Sequence, residues 1–267
     1  MKSAQPVAPL PPTLAAAPYR IVAATGLDPG DRAYQQDQLA LMPHPRHPAC
    51  VLGVVADGMG GRSGGRKASD QVMLTAQQLF ERFDPLTDDP QDLLHRLALE
   101  AHTVIRLTAV AAEEEPHSTL AAFLLMPGGR CHWAHSGDSR LYHFRGERLE
   151  VRSRDHSYVQ SLVDRGELTE AQAQVDPRSN MLLHCLGTES APVVSETILQ
   201  ALRPGDSLLA CSDGLWHYFS DLELGRVVQQ LPPRTACELL VQKARERAYG
   251  GGDNISLIVL KLLPLTA

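Results

Sequence analysis

The sequence has no C-x-x-C pair, and its odd set of cysteines offers no obvious disulfide framework. Cys50, Cys131, Cys185, Cys211 and Cys237 are scattered, and most sit inside apolar runs. Free Cys in such surroundings behaves as a small hydrophobe, and the pattern suits a reducing compartment, so a cytoplasmic location is expected. Long apolar runs are missing too: none approaches the ~20 residues of a membrane span. The opening "MKSAQPVAPLPPTLAAAPYR" is broken by prolines and lacks the continuous apolar core of a signal peptide. Residues 1–18 therefore read as a flexible Pro/Ala-rich tail, with a single domain over 19–267. Positive charge is not in excess. A formal net charge of -6 argues against nucleic acid as a partner, since affinity for its backbone comes from dense Lys and Arg. The local cluster Arg62, Arg66 and Lys67 reads as a solvated helix face.

What is present is patterned. Runs rich in Val, Ile, Leu and aromatics, bounded by Gly, Pro, Asp or Ser, predict strands. They are "YRIVAATG", "DQLALM", "CVLGVVAD", "STLAAFLLM", "RCHWAHSG", "SRLYHFR", "VVSETILQ", "DSLLACSD" and "NISLIVLKLL". Helical periodicity suits residues 64–82, 90–113 and 232–248. Strict strand–helix alternation is absent, which disfavours a doubly wound parallel sheet. The expectation is an α+β fold with mostly antiparallel sheets covered by helices. Residues 155–187 are polar and short-helix-like, with the texture of an inserted subdomain. No internal repeat is visible.

The stretch "VLGVVADGMGGRSGGRK", residues 51–67, poses the functional question. It could cradle a nucleotide's phosphates or form an acidic metal corner. A P-loop needs G-x-x-x-x-G-K-[ST], yet Gly60 and Gly65 are followed by Arg66, Lys67 and Ala68. The G-x-G-x-x-G pattern fails as well, because Ser63 stands where its third glycine belongs.

The metal reading asks for more carboxylates at other strand ends. Asp138 in "HSGDSRLY", Asp213 in "LLACSDGLW" and Asp253 in "GGGDNISLIVL" supply them beside Asp57. Any one of these, next to glycine, reads first as a turn residue. Four at the ends of apolar strands point to a shared positive charge, because buried Asp is rare unless paired or bound to a cation. Carboxylate oxygens select hard ions such as Mg²⁺ or Mn²⁺.

The pieces "DGMGG", "GDSRLY", "DHS", "CSDGLW" and "GGDNIS", in this order, resemble the metal-dependent protein phosphatases of type 2C, in particular the compact bacterial members. The resemblance runs from about Ala23 to Leu260. It implies a central β-sandwich of two mainly antiparallel sheets flanked by helices, with metals in a cleft at one end. It also implies hydrolysis of phosphoserine and phosphothreonine on proteins, using two or three Mn²⁺ or Mg²⁺ ions. Carried over by motif, Asp57 would bridge two ions, the Gly58 carbonyl would bind one of them, and Asp213 and Asp253 would complete the pair. Asp138 resembles the ligand of a third ion. Arg32 matches the phosphate-binding arginine, and Asp37 the acidic residue that holds water.

Ions in such a pair lower the pKa of water and offset charge on the attacking and leaving oxygens. Neither a C-x-x-x-x-x-R loop nor a D-x-D-x-[TV] motif supplies a protein nucleophile, so water is expected to attack directly. The family's "GTT" reads "HST" here, with His117 in place of glycine, and its "NED" reads "QQD", with Gln36 in place of an acid. Met59 is usual for bacterial members. His132 and His135 point to opposite faces of one strand and read as packed or surface residues. His156 falls at the start of 155–187, which the resemblance identifies as a flap beside the active site. His117 and His156 are thus candidates for flap or site-adjacent roles. The resemblance further implies phosphoprotein substrates and a cognate Ser/Thr kinase, sometimes in the control of type VI secretion, and a monomer is expected. Two rivals remain: a nucleotide-binding protein built on the glycine loop, and a phosphoprotein-binding module without catalysis.

Overall fold

The computed structural model describes residues 19–112 and 115–265. The segment 1–18, expected to be a flexible tail, lies outside the described residues.

The strands are β1 (Tyr19–Asp28), β2 (Gln38–Pro43), β3 (Val51–Ala56), β4 (Gly58–Met59), β5 (His117–Ser118), β6 (Leu120–Leu125), β7 (Cys131–Ser136), β8 (Arg140–Arg145), β9 (Arg148–Arg152), β10 (Ser195–Leu199), β11 (Asp206–Cys211) and β12 (Ile255–Pro264). The helices are α1 (Gly61–Arg82), α2 (Pro90–Ala112), α3 (Tyr158–Asp164), α4 (Glu170–Val175), α5 (Asp213–Trp216), α6 (Asp221–Gln230) and α7 (Pro233–Ala248). One sheet runs β1-β12-β11-β8-β9, a second runs β10-β7-β6-β3-β2, and β4 pairs with β5 alone. The pairings are antiparallel throughout. The expected α+β sandwich is what forms.

Period-two patterning sorts the strand residues into layers. Along β3, Val51 and Val55 face the other sheet and meet Leu141, Leu208, Ala210, Ile258 and Leu260. Leu52, Val54 and Ala56 point the other way, onto Val72, Phe80, Leu94, Leu97 and Ile105 of α1 and α2. Gly53 completes the inward row because the ring of Phe123 takes its space: a Cβ there would stand 2.3 Å from that ring. On the opposite sheet, Leu209, Leu257 and Val259 pack outward against Leu224, Val228, Leu240 and Ala244 of α6 and α7. The result is four layers, helices–sheet–sheet–helices.

Some elements were not legible as such. The β9 strand "RLEVR" is half-exposed and charged, and the β4–β5 pair is only two residues long on each side. Helix α1 starts at Gly61 rather than 64, capped by Gly60 in the left-handed region at φ 114°. Helix α6 is closed by a capping box between Ser220 and Glu223.

Segment 155–187 carries α3 and α4 and then returns through turns and bends. Its backbone bridges Ser157 to Leu182 and Ser118 to Leu186. Among the described residues no helix is long and apolar enough to cross a membrane.

Candidate metal centre

Sheet register places the acidic residues together. Gln38 pairs with Ala56, so Asp37 and Asp57 share one end of the sandwich. Leu120 pairs with Ser136, Arg140 with Cys211, and Cys211 with Leu257. The turns carrying Asp138, Asp213 and Asp253 therefore open at that same end.

Each carboxylate is held by its surroundings. The Asp57 N–H donates to Thr119 Oγ1 at 2.9 Å, and the Thr119 N–H returns to the Asp57 carbonyl at 2.8 Å. Asp37 is 1% exposed, and its Oδ2 accepts from Ser256 Oγ at 2.8 Å. Asp253 Oδ1 accepts from the Asn254 N–H at 2.8 Å. The Asn254 side chain organises the loop facing it. It donates to the Pro29 and Tyr34 carbonyls at 2.9 and 3.0 Å and accepts from the Gln36 N–H at 2.6 Å. That loop delivers Arg32, whose Nη2 lies 2.6 Å from Asp253 Oδ2 while the side chain stays 60% exposed.

The electrostatics follow from crowding like charges in a dry place. Burial, then the charges of Asp37, Asp213, Asp138 and Asp253, push the Asp57 carboxyl well above the usual range. Asp138 moves the same way through burial and then Asp213 and Asp155, with Arg140 opposing. Burial raises Asp37 to about 7, against the hydrogen bonds from Ser212 and Ser256 and with Asp213 and Asp253 adding to it. Asp213 rises to about 6 through burial and Asp253, and its Oδ1 is buried without a hydrogen-bond partner. Arg32 and Arg140 offset only part of this negative charge.

Crowded carboxylates of this kind suit a cation. Among the described residues no three His, Cys, Asp or Glu side chains converge closely enough to enclose an ion alone. The donors at this end are carboxylate and carbonyl oxygens, which suit Mg²⁺ or Mn²⁺, hard ions that keep several waters when held by one or two carboxylates. The buried, unpartnered Asp213 oxygen and the raised carboxyl pKa values fit hard divalent cations. Asp57, Asp213, Asp253 and Asp138 would hold them.

The glycine-rich loop has a packing role. A Cβ on Gly58 would stand 2.0 Å from the Gly65 carbonyl oxygen and 2.7 Å from that of Gln36. The glycines thus let the first turn of α1 press against the Asp57 corner. Arg66 is tied there to Asp70 at 2.9 Å and to the Gln35 carbonyl at 3.2 Å. Gln36, the departure from "NED", donates from Nε2 to the Gly61 carbonyl at 2.7 Å.

The histidines divide. His117 pairs with Met59 across β4–β5 and borders a surface pocket with Arg106, Glu115 and Glu189. His156 accepts the Gly137 N–H at Nδ1 (3.4 Å) and meets Ser195 Oγ at Nε2 (2.9 Å). Its ring stacks on His135 at 4.8 Å. Burial, with His135 and His184 adding to it, lowers its pKa to about 4. His132 is buried on the other face of β7 with neither ring nitrogen partnered. Thr119, Asn254, Ser256, Trp216 and Asp155 were not singled out from sequence. "GDN", "SDGLW" and "DHS" contain three of them, so motif neighbours were the available signal.

A family model described as protein phosphatase 2C matches residues 31–239. The serine/threonine protein phosphatase PstP of Mycobacterium tuberculosis is 32% identical over 212 residues, 77% of this chain but only 39% of that protein. This chain thus spans about two fifths of that relative's length. The serine/threonine phosphatase Stp of Listeria monocytogenes is 29% identical over 78% of this chain and 83% of its own. Among solved structures, the catalytic domain of PstP in complex with two manganese ions superposes with a TM-score of 0.76 at 27% identity, covering 91% of this chain and 98% of that one. PppA of Pseudomonas aeruginosa, described as a key regulatory component of its type VI secretion system, gives a TM-score of 0.76 at 30% identity, covering 94% and 99%.

Proposed function

We propose, from the premise that this chain belongs to the protein phosphatase 2C family, that it hydrolyses phosphoserine and phosphothreonine on proteins with Mn²⁺ or Mg²⁺. One observation carries the reading: Asp37, Asp57, Asp138 and Asp213 crowd one end of the sandwich, buried or half-buried, and burial first, then neighbouring carboxylates, raises the pKa of each. The manganese ions in the PstP catalytic domain support the same choice of metal.

Bound there, such ions supply Lewis acidity, making hydroxide available near neutral pH and offsetting charge on the phosphoryl oxygens. The chain's own residues do the rest. Arg32 presents a planar fork to phosphate oxygens from a largely exposed position beside Asp253. Asp37, held by Ser212 and Ser256, accepts a hydrogen bond from the water that attacks. Asp57, Asp213 and Asp253, with the Gly58 carbonyl, would hold two ions, and Asp138 would support a third. Water is the attacking nucleophile, and no cysteine competes with it: each of the five is buried, and burial raises its thiol pKa.

Residues 155–187 serve as a flap beside the cleft, with His156 seating its root and His117 at the rim. A partner Ser/Thr kinase of opposite activity completes the system, and the likeness to PppA supports a link to secretion control. The enzyme acts as a cytoplasmic monomer. The nucleotide reading is weakened, because Gly58, Gly60 and Gly65 are packed against backbone or the Gln36 side chain.

The test is hydrolysis of a phosphothreonine peptide with Mn²⁺, with EDTA, and by Asp57→Asn. Turnover that needs Mn²⁺ and Asp57 supports the reading. An inert wild type with Mn²⁺ moves the binding-module reading to the front.

A further inference from the structure

Resting on that reading, we propose that Arg140 is a positioning residue which, with Asp155 and Trp216, fixes Asp138 against Asp213. The Asp138 backbone carbonyl accepts the Trp216 Nε1–H at 2.9 Å. Trp216 ends α5, the helix that Asp213 begins, so one indole ties two acidic turns together. The Arg140 guanidinium lies over that indole, 3.4 Å from the ring centroid. Its Nε and Nη2 take both carboxylate oxygens of Asp155 at 2.8 and 2.7 Å. The next residue, His156, donates its N–H to the Gly137 carbonyl at 2.9 Å. The turn from Gly137 to Arg140 is therefore held from three directions: by the indole, by the ion pair and by the root of segment 155–187.

The chemistry favours direction over stability. Arg140 and Asp155 side chains are 12% and 6% exposed. A buried ion pair is a weak stabiliser, since desolvation offsets much of its attraction. A bidentate fork stacked on an aromatic face is a strong orienting device, and lysine cannot reproduce it. Beyond the guanidinium lies a cavity of about 240 Å³, lined also by Arg152, Gln160 and Asp221. A shorter side chain at 140 would leave the Asp138 turn unsupported on that side.

The test is calorimetric titration of Mn²⁺ into the metal-free full chain, alongside hydrolysis of the phosphothreonine peptide. Wild type, Asp138→Asn, Arg140→Gln, Arg140→Lys, Trp216→Phe and the Asp138→Asn/Arg140→Gln double variant are compared. Asp138→Asn defines the part of the isotherm that depends on Asp138. Arg140→Gln is expected to weaken that same part by about tenfold or more, as loss of a partner that orients a ligand does. Arg140→Lys does not restore it, and the double variant matches Asp138→Asn alone. Trp216→Phe keeps a ring under the guanidinium but loses the N–H, and weakens the same component even if Arg140→Gln folds poorly.

The proposal is overturned if Arg140→Gln and Trp216→Phe isotherms superimpose on wild type, or if all components weaken alike. It is also overturned if Asp138→Asn leaves the isotherm unchanged. A wild type that binds no Mn²⁺ and hydrolyses nothing sinks the phosphatase reading itself. A wild type that binds and hydrolyses, with Arg140 variants indistinguishable from it, sinks only the role of Arg140.

Discussion

Thr119 and Asp57 hold each other through two hydrogen bonds, side chain to backbone at 2.9 Å and backbone to backbone at 2.8 Å. Thr119 Oγ1 also lies 2.7 Å from Ser139 Oγ, so this hydroxyl links the Asp57 corner to the Asp138 turn. Thr119→Val keeps the shape and removes the hydroxyl. It leaves the Asp57 N–H without its partner, at a cost of about 1–3 kcal/mol. The expected result is a folded protein with a lower denaturation midpoint and weakened Mn²⁺-dependent turnover. Equal midpoints for variant and wild type in urea titrations would show that the hydroxyl contributes nothing.

Backbone proximity makes a second prediction. Gly58 and Gly214 each leave room for a carbonyl oxygen, of Gly65 and Asn254 respectively, at 2.0 Å from where a Cβ would stand. Neither obstacle is a flexible side chain, so Gly58→Ala and Gly214→Ala must shift backbone that carries Asp57 or Asp213. Overpacking of this kind costs about 1–3 kcal/mol. Gly146→Ala is the control for lost glycine freedom, since that residue has φ 60° but nothing near its Cβ position. Melting temperatures should fall for all three, while turnover per folded molecule falls only for the first two.

The raised carboxyl pKa values couple metal to pH. Asp37 titrates at about 7 and Asp213 at about 6 in the fold, above their ordinary value of 3.8. A carboxyl raised in this way stabilises the fold below its unfolded pKa and loses that contribution as pH rises through its folded pKa. The metal-free protein therefore forfeits this stability between about pH 4 and 7. A bound cation reverses the loss, because it favours the ionised form. EDTA should lower the melting temperature more at pH 7.5 than at pH 5. An EDTA effect independent of pH would separate these carboxylates from metal binding.

How much of this was visible in the chain beforehand follows from range. The strands and long helices were legible because their patterning is local: β-branched runs, and prolines or glycines at helix ends. The acidic set was legible because an apolar run stopping at Asp-Gly is also local. The braces were not. Asn254 reaches back to Pro29, Asp155 to Arg140 and Ser256 to Asp37, contacts that exist only once the sheets have closed. The charged strand β9 carries no such local signal, because it is an edge strand with half-exposed residues and no apolar run. The glycine loop remained ambiguous for a related reason: its partner surface, the Gly58–Gly65 contact, is made by folding.

Acid should act in the opposite sense through histidine. His156 is held neutral in the fold, its pKa lowered to about 4 from 6.5 by burial, with His135 and His184 adding to it. A histidine lowered in this way contributes its full stability above the unfolded pKa. That contribution is lost as pH falls from about 6.5 to 4, and below that no more is lost through this group. Its neighbour His135 is lowered too, chiefly by burial, and adds in the same direction. His156→Gln can still meet Ser195 but cannot titrate, so its urea midpoint should vary less than wild type between pH 7 and 5. Its turnover at pH 7.5 separates two roles. Near-normal turnover would mean that the ring seats the root of 155–187, whereas a collapse with an unchanged midpoint would place the imidazole in the chemistry. Parallel pH–stability curves for the two proteins would remove His156 from the acid response altogether.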